Sequence, residues 1–273
     1  MKLPELPEVE TTRRGIEPHI REKVIRDIIL RRKNLRWPIT PAISTDLPGE
    51  TIQSVSRRGK YLLLGTSKGT LIIHLGMSGS LRIVDAGRQA AKHDHVDIVL
   101  ANDKVLRYTD PRRFGCILWE TEAIESHPLL ASLGPEPLGD DFDTDYLFKK
   151  SRARSATIKT FIMDSRVVVG VGNIYANEAL FLAGISPKRS AGKISKPRYA
   201  KLVLCITQVL QRAIDVGGTT LRDFTNSNGE PGYFAQSLQV YGRKGKPCHV
   251  CQSTLKEIQQ GQRSTVYCPK CQR

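Results

Sequence analysis

The chain has little of two things, long apolar runs and acidic residues, and the first shortage already excludes a class of protein. A helix that crosses a bilayer needs about 20 consecutive apolar residues, and no segment of the 273 residues approaches that. The N-terminus also lacks the apolar core of a signal peptide, so we expect a cytoplasmic protein. Hydrophobic residues at 40% and charged residues at 25% are typical of a soluble globular protein with a sizeable core.

The shortage of acidic residues leaves a strongly basic chain. Asp and Glu number 27 against 42 Lys and Arg, which gives a formal net charge of +15 and a pI near 9.7. Such an excess concentrates polyanions around a protein, and nucleic acid is the partner it favours. A basic surface without a specific partner is the plainer interpretation. A membrane surface is less favoured, because no basic amphipathic helix with a strong apolar face stands out.

Cysteine is scarce as well, and four of the six cysteines fall in the last 26 residues as two C-x-x-C pairs. Sixteen residues separate the pairs, which are Cys248 with Cys251 and Cys268 with Cys271. Two such turns can complete a tetrahedral zinc shell, and four protein ligands make a structural rather than a catalytic site. Two disulfides are the alternative, which a reducing cytoplasm disfavours. The remaining Cys116 and Cys205 lie in apolar runs and are expected in the core.

The pattern of apolar residues changes along the chain from short strands to helices. Residues 7–20 favour a helix with acids in its first turn, and six short strands with turns between them follow up to residue 120. Residues 133–143 are rich in Pro, Gly and Asp, which is typical of a linker. Helical spacing then covers 155–166, 173–184 and 196–218. A short helix ending at Phe224 and a polar loop over 225–236 come next.

Four further motifs allow both a structural and a functional interpretation. VVVGVGNIYANEA joins a glycine turn to a helix start at Asn173, which suits a phosphate but also an ordinary helix joint. RYTDPRRFG places Arg112 and Phe114 on a turn, either as a tip inserted between bases or as a buried ring beside solvated arginines. Met77 in HLGMSGS would ordinarily fill a core. In KHDHVD we favour His93 as a phosphate or base contact and His95 as structural.

These motifs occur together in one family. The chain closely resembles bacterial formamidopyrimidine-DNA glycosylases, which excise oxidised purines, through PELPEVET, KYLLL, HLGMSGSLRI, KHDHVD, LRYTDPRRFG, LGPEPL, VVGVGNIYANEALF, GGTTLRDF, PGYFAQSLQVYGRKGKPC and the four cysteines. The resemblance implies an α+β protein that binds double-stranded DNA between its halves. Its parts would be an N-terminal β-sandwich with an N-terminal helix (1–134), a linker (135–152), a helix–two-turn–helix domain with a lesion-capping loop (153–236) and a β-hairpin zinc finger (237–273) holding one Zn²⁺.

The resemblance also implies a role for each motif residue. Pro4 would be the nucleophile that forms a Schiff base with C1′ of the damaged nucleotide, and Glu5 the acid that helps open the sugar. Lys60 would contact the DNA beside the lesion and assist the lyase step. Arg263 would act at the phosphates that flank the lesion. Three side chains would fill the void left by the flipped nucleotide: Met77, Arg112 and Phe114. Three others would bind phosphates: His93, Lys159 and Asn173. The family often has a lysine where this chain has Ser155, so that contact would pass to Arg154.

The N-terminus departs from the family pattern, in which proline directly follows the initiator methionine. Here Met1, Lys2 and Leu3 precede Pro4. A terminal amine has a pKa near about 8 and is partly neutral at pH 7, whereas an amide-bonded proline nitrogen is no nucleophile. We therefore expect translation to start at Leu3, encoded by TTG or CTG, followed by removal of that methionine.

Two other functions stay open from the sequence. One is an endonuclease VIII-like glycosylase for oxidised pyrimidines, which is disfavoured by the PELPEVET start, by the set Met77, Arg112 and Phe114, and by the loop NGEPGYFAQ (228–236). The other is a lesion-binding protein without catalysis, if Pro4 is not the mature N-terminus. No self-complementary helix stands out, so a monomer is expected.

Overall fold

The computed structural model describes residues 4–217 and 238–273, which fall into two compact units. The first unit takes residues 4–131 and the second takes 132–216 and 238–273. The predicted helix ending at Phe224 and the loop 225–236 lie outside the described residues. Within the described part, no helix is both long and apolar enough to cross a membrane.

The first unit is built on two four-stranded antiparallel sheets, as the resemblance implied. One sheet has the order β1-β6-β7-β5 and the other β2-β3-β4-β8. The chain passes from one sheet to the other after β1, after β4 and after β7, which is compatible with a sandwich. Their bounds are β1 Ile25–Leu30, β2 Ser54–Arg58, β3 Tyr61–Gly65, β4 Thr70–His74, β5 Ser80–Asp85, β6 Asp94–Leu100, β7 Lys104–Thr109 and β8 Cys116–Glu120.

The strand register gathers the motif-bearing loops at one edge of this unit. His74 at the end of β4 pairs with Cys116 at the start of β8, and Ser80 at the start of β5 pairs with Thr109 at the end of β7. The loops 75–79 and 110–115, which both run between the sheets, therefore lie side by side. Tyr61 pairs with His74, so the β2–β3 turn reaches the same edge.

Helix α1 (Leu6–Ile20) packs against the sheets. Its buried apolar residues are Leu6, Val9, Ile16 and Ile20, which form one stripe because they are separated by three, seven and four positions. A short helix, α2 (Ile43–Asp46), packs on β1. The spacing within residues 7–20 thus predicted α1 correctly to within one residue.

The second unit is mainly helical and ends in a two-stranded hairpin. Helix α5 is the centre of the unit, because it packs against α4, α6 and strand β10 of the hairpin. It ends at Gly184, whose left-handed φ of 69° is the usual way a glycine terminates a helix. The bounds are α3 Thr144–Ser151, α4 Ile158–Ile162, α5 Asn173–Ala183, α6 Lys196–Asp215, β9 Lys256–Gln260 and β10 Arg263–Tyr267.

Some elements differ from the sequence interpretation. The range 135–152 assigned to the linker contains α3, because Asp143 caps its start by accepting the Tyr146 N–H at 2.7 Å and Leu147 is buried. The aspartates that suggested a linker thus include a helix cap. Helix α4 is shorter than the predicted 155–166, and the strands β1 and β2 were not predicted.

Candidate active site and nucleic-acid interface

The proposed nucleophile and acid lie at the start of α1. Pro4 is buried, and Glu5, at the N-cap position of the helix, is only 2% exposed. The Glu5 N–H donates to Glu8 Oε2 at 2.9 Å, which satisfies one of the backbone donors that a helix start leaves without a partner. The backbone around Pro4 is therefore fixed by the first turn of the helix.

A chain of polar contacts joins this helix to the turn that carries Lys60. Arg57 Nε lies 3.2 Å from Glu10 Oε2, and Arg57 Nη1 donates to the Gly59 carbonyl at 2.9 Å. Burial opposes ionisation of Glu10, but hydrogen bonds from Arg13 and Arg14 prevail and lower its pKa. Glu10 is thus an anion that holds Arg57, and Arg57 holds the backbone beside Lys60.

His74 is a residue of this edge that the sequence interpretation passed over. Its ring lies 4.9 Å from the ring of Tyr61, and its Nδ1 accepts the Gly76 N–H at 2.9 Å. Burial and the positive charges of Lys60 and Arg36 lower the pKa of His74 to about 4. At neutral pH the ring is therefore uncharged, with its proton on Nε2. Only its pairing position beside the Lys60 turn could have singled it out.

Asp110 organises the two loops that carry Met77, Arg112 and Phe114. Its Oδ1 accepts the Ser78 hydroxyl at 2.7 Å, and its Oδ2 accepts the Gly115 N–H at 2.9 Å. The Asp110 side chain is completely buried, so a change of its carboxylate would disturb both loops at once. A Cβ at Gly76, where φ is +65°, would come within 2.4 Å of the Gly115 nitrogen, so the loops pack too closely for any other residue.

Arg112 and Phe114 form a pair at the tip of the 110–115 loop. The Arg112 guanidinium carbon lies 4.8 Å from the centre of the Phe114 ring, a distance that allows a cation–π interaction. Phe114 is 44% exposed, which favours the exposed tip over the buried ring. Met77, in the neighbouring loop, is half-buried.

The residues of the KHDHVD motif differ in burial and in their partners. His93 is half-buried, and its carbonyl accepts the Asp110 N–H at 3.0 Å, which places it at the same edge. His95 is buried with its Nε2 2.8 Å from the Asp110 carbonyl. Asp97 is paired with Arg107 at 2.8 Å and Arg31 at 2.6 Å. His95 and Asp97 are thus structural.

The second unit carries the other predicted contacts. Asn173 is the first residue of α5, after the N-cap residue Gly172, and is half-buried. Arg263 is exposed at the start of β10. Arg154 is exposed as well, in the segment before α4. Lys159 differs, because it is 1% exposed and its ammonium donates to Ser264 O and Thr265 Oγ1 on the hairpin; its phosphate contact stays a prediction.

Glu178 of α5 is a second residue that the sequence interpretation missed. Its carboxylate is buried and accepts three backbone N–H groups, from Gln239 at 2.7 Å, Val240 at 3.0 Å and Tyr241 at 2.8 Å. Burial raises the pKa of Glu178 although these donors oppose the rise. The carboxylate fixes the chain immediately after residues 218–237, and nothing in the local sequence indicates it.

The four C-terminal cysteines fit one structural zinc. Their Sγ atoms all lie within 4.8 Å of one another, with Cys248 and Cys271 at 3.9 Å and Cys251 and Cys268 at 3.4 Å. Zn–S bonds of about 2.3 Å in a tetrahedron require S–S distances of about 3.8 Å. A disulfide would need about 2.05 Å, so the zinc interpretation is confirmed. Cys116 and Cys205 are buried, as predicted.

Comparisons with known proteins cover nearly the whole chain. Three family models match: the formamidopyrimidine-DNA glycosylase N-terminal domain over residues 3–117, the formamidopyrimidine-DNA glycosylase H2TH domain over 133–225, and a zinc finger found in FPG and IleRS over 245–273.

Full-length relatives agree with the family models. Formamidopyrimidine-DNA glycosylase of Stutzerimonas stutzeri is 60% identical over 271 residues, 99% of this chain and 100% of that protein, and the Pseudomonas aeruginosa (strain LESB58) enzyme is 59% identical over the same shares. The MutM (FPG) structure from Thermus thermophilus matches with a TM-score of 0.87 at 35% identity over 98% of both chains. A Lactococcus lactis FPG mutant in complex with Fapy-dG containing DNA matches at 0.91 and 34% over 99% of this chain and 100% of that one. The chain belongs to the formamidopyrimidine-DNA glycosylase family.

Proposed function

We propose that the chain excises oxidised purines from DNA and cleaves the resulting abasic site through a Schiff base with Pro4. Family membership makes it a DNA glycosylase of base excision repair with AP lyase activity. The observation that carries the residue assignment is the buried Pro4–Glu5 pair at the start of α1, tied through Glu10 and Arg57 to the Lys60 turn.

The first chemical step uses the secondary amine of a terminal proline. The Pro4 nitrogen lone pair attacks C1′ of the damaged nucleotide, the bond from C1′ to the sugar ring oxygen breaks, and Glu5 protonates that oxygen. The attacking nitrogen then loses its proton, the base takes up a proton as it departs, and the nitrogen lone pair that expels it forms an iminium at C1′. The pyrrolidine ring fixes the direction of the amine, and the Glu5–Glu8 contact fixes the backbone that follows it.

The lyase steps follow from the iminium. Its positive charge makes the C2′ hydrogens acidic, so a proton is lost from C2′ and the 3′ phosphate leaves; the 5′ phosphate leaves in a second elimination. In our proposal Lys60 assists this step beside the lesion, and Arg263 contacts the flanking phosphates. An ammonium and a guanidinium group both complement the charge of a phosphate.

The remaining contacts hold the DNA in a distorted form. A base cannot be excised within the stack, so the nucleotide is flipped out. We assign Met77, Arg112 and Phe114 to the space it leaves, with Arg112 facing the unpaired cytosine. The tight packing at Gly76 and the Asp110 contacts hold the two loops rigidly enough for that role. His93, Asn173 and Arg154 are the proposed phosphate contacts, whereas the buried Lys159 ammonium contacts the hairpin.

This mechanism requires Pro4 to be the first residue of the active protein. An amide nitrogen has no available lone pair, so the form that retains Met1, Lys2 and Leu3 cannot form the Schiff base. Intact-mass spectrometry of the natively expressed protein checks the requirement: the expected mass is that of a chain beginning at Pro4, and a mass that includes Lys2 would contradict it.

The decisive experiment compares two forms of the chain by borohydride trapping on a duplex with 8-oxoguanine opposite cytosine. One form begins at Pro4 after removal of a single preceding methionine, and the other retains residues 1–3. We expect a covalent adduct with the first form and binding without an adduct for the second. Adducts with both forms would exclude Pro4 as the nucleophile, and adducts with neither would favour a lesion-binding protein without catalysis.

A second duplex, carrying thymine glycol, tests the substrate class. We expect faster trapping on the 8-oxoguanine duplex. The reverse order would favour an oxidised-pyrimidine enzyme of the endonuclease VIII type. Because the substrate is chromosomal DNA, we also place the protein in the cytoplasm, which cell fractionation would check.

A further inference from the structure

Lys159 is an unusual residue of the second unit, because a lysine is almost never fully buried unless its charge is paired. Its side chain is 1% exposed, and its Nζ donates to the Ser264 carbonyl at 3.0 Å and to Thr265 Oγ1 at 2.7 Å. Both acceptors lie on β10, in the two residues that follow Arg263. Thr265 is itself completely buried. The Lys159 ammonium therefore links helix α4 to the strand that carries Arg263.

Asn177 of α5 makes a second polar link to the same strand. Its Oδ1 accepts the Val266 N–H at 2.9 Å, and its Nδ2 donates to the Asn173 carbonyl at 2.6 Å. This side chain is buried too, so water cannot readily replace a hydrogen-bond partner that it loses. Asn177 thus connects the start of α5, where Asn173 lies, to the strand that begins at Arg263.

We propose that Lys159, with Asn177 and Thr265, is a positioning cluster that fixes Arg263 relative to Asn173. Through this cluster, Arg263 and Asn173 would bind the DNA backbone at a set separation. Hydrogen-bonded polar side chains that are fully buried set one geometry, because any other leaves a buried donor or acceptor without its partner. The inference rests on the proposed function for the roles of Arg263 and Asn173, whereas the cluster itself is independent of them.

The geometry favours this role for Lys159 over direct contact with a phosphate. A lysine that binds DNA keeps its ammonium at the surface, as the exposed guanidinium of Arg263 is kept here. The Lys159 ammonium is instead directed to a carbonyl and a hydroxyl of the hairpin. The cluster therefore acts on DNA through Arg263.

The first test uses Thr265→Val, which removes the hydroxyl from a residue that cannot reach DNA. The Kd of the zinc-loaded protein is measured for a duplex carrying a stable abasic-site analogue. We expect Thr265→Val and Lys159→Met each to weaken binding about tenfold, the size of one charged hydrogen bond. Thr160→Val is the matched control, because it removes a threonine hydroxyl from α4 that contacts Thr157 and not the hairpin.

A double-mutant cycle then separates positioning from direct contact. In the Arg263→Ala background, Lys159→Met should weaken binding no further, since Arg263 is the residue through which it acts. A further tenfold loss there, together with an unchanged Kd for Thr265→Val, would mean that Lys159 contacts a phosphate itself and would overturn the proposal. If Lys159→Met loses zinc, or if its second unit no longer folds, the lysine has a merely structural role and the positioning proposal is overturned as well.

Amide hydrogen exchange provides a readout that does not depend on activity. Lys159→Met and Thr265→Val should speed exchange at residues 263–266, whereas Thr160→Val should not. Unchanged exchange would refute the cluster. If exchange responds while the wild-type chain beginning at Pro4 excises no base, the proposed function fails and the positioning of the hairpin stands.

Discussion

At the scale of single residues, the edge that carries Lys60 concentrates positive charge. Lys60 and Arg36 both disfavour a proton on His74, and this field suits an incoming phosphate. A neutral His74 whose Nδ1 holds the Gly76 N–H also fixes the start of the loop that bears Met77. His74 thus both responds to the positive charge of this edge and fixes the loop that follows it.

This neutral histidine predicts a pH dependence of stability. Between pH 6.5 and about pH 4 the unfolded chain protonates His74 while the folded protein does not, so the free energy of unfolding falls as the pH falls. The loss amounts to at most about 3 kcal/mol, from a shift of roughly 2.5 pKa units. In His74→Asn, whose amide oxygen can still accept the Gly76 N–H, this part of the loss should disappear. Urea unfolding at several pH values measures it.

The control for that measurement is another histidine. His19 is exposed at the end of α1, so His19→Asn should leave the pH dependence of the wild type unchanged. If His74→Asn and the wild type lose stability equally between pH 6.5 and pH 4, His74 is not held neutral by the fold.

At the scale of elements, sequence reasoning succeeded where a pattern is local. The strand runs, the glycine end of α5 and the two C-x-x-C turns are written within a few residues and were predicted. The strands β1 and β2, the cap at Asp143 and the shortening of α4 were not, because pairing and packing decide them. Glu178 illustrates the limit, because the backbone N–H groups that donate to its carboxylate lie about 60 residues further along the chain.

The hairpin β9–β10 has too small a core to be stable on apolar contacts alone. The core cluster of this part contains Phe181, Val240, Leu255 and Val266 with two of the cysteines. Metal coordination contributes folding free energy directly in such small units. We therefore expect zinc chelation to speed hydrogen exchange over residues 245–273 and to leave the sheets of the first unit protected. Exchange measured with and without chelator, alongside zinc quantification, tests this.

Re-addition of zinc is the control for chelation, because it should restore protection of the hairpin if the chelator acts through the metal. A chelated protein that retains full protection over 245–273 would show that packing alone holds the hairpin. Simultaneous loss of protection in both units would show instead that the chain unfolds as one.

At the scale of the whole molecule, the net charge of +15 predicted a polyanion partner but not which cations contact it. The family motifs supplied candidate residues, and the register of the strands explains why four of their loops meet at one edge. The sequence could not reveal that Lys159 is buried, since a lysine in a motif looks the same whether it contacts DNA or a neighbouring strand.

The salt dependence of binding distinguishes specific phosphate contacts from the general charge. Each cation that neutralises a phosphate adds about −0.9 to the slope of log K against log salt concentration. Lys60→Gln and Arg263→Gln should therefore each make the slope shallower by about 1 on a duplex with a stable abasic-site analogue.

Lys104→Gln is the matched control for these variants, because it removes the same unit of net charge at the opposite end of β7, where Lys104 pairs with Asp85 at 2.6 Å. It should leave the slope unchanged. Equal slopes for all three variants and the wild type would mean that Lys60 and Arg263 attract DNA only through the overall field. A slope that falls equally in all three would mean that the net charge, and not the edge at Lys60 or the hairpin, determines how the DNA is held.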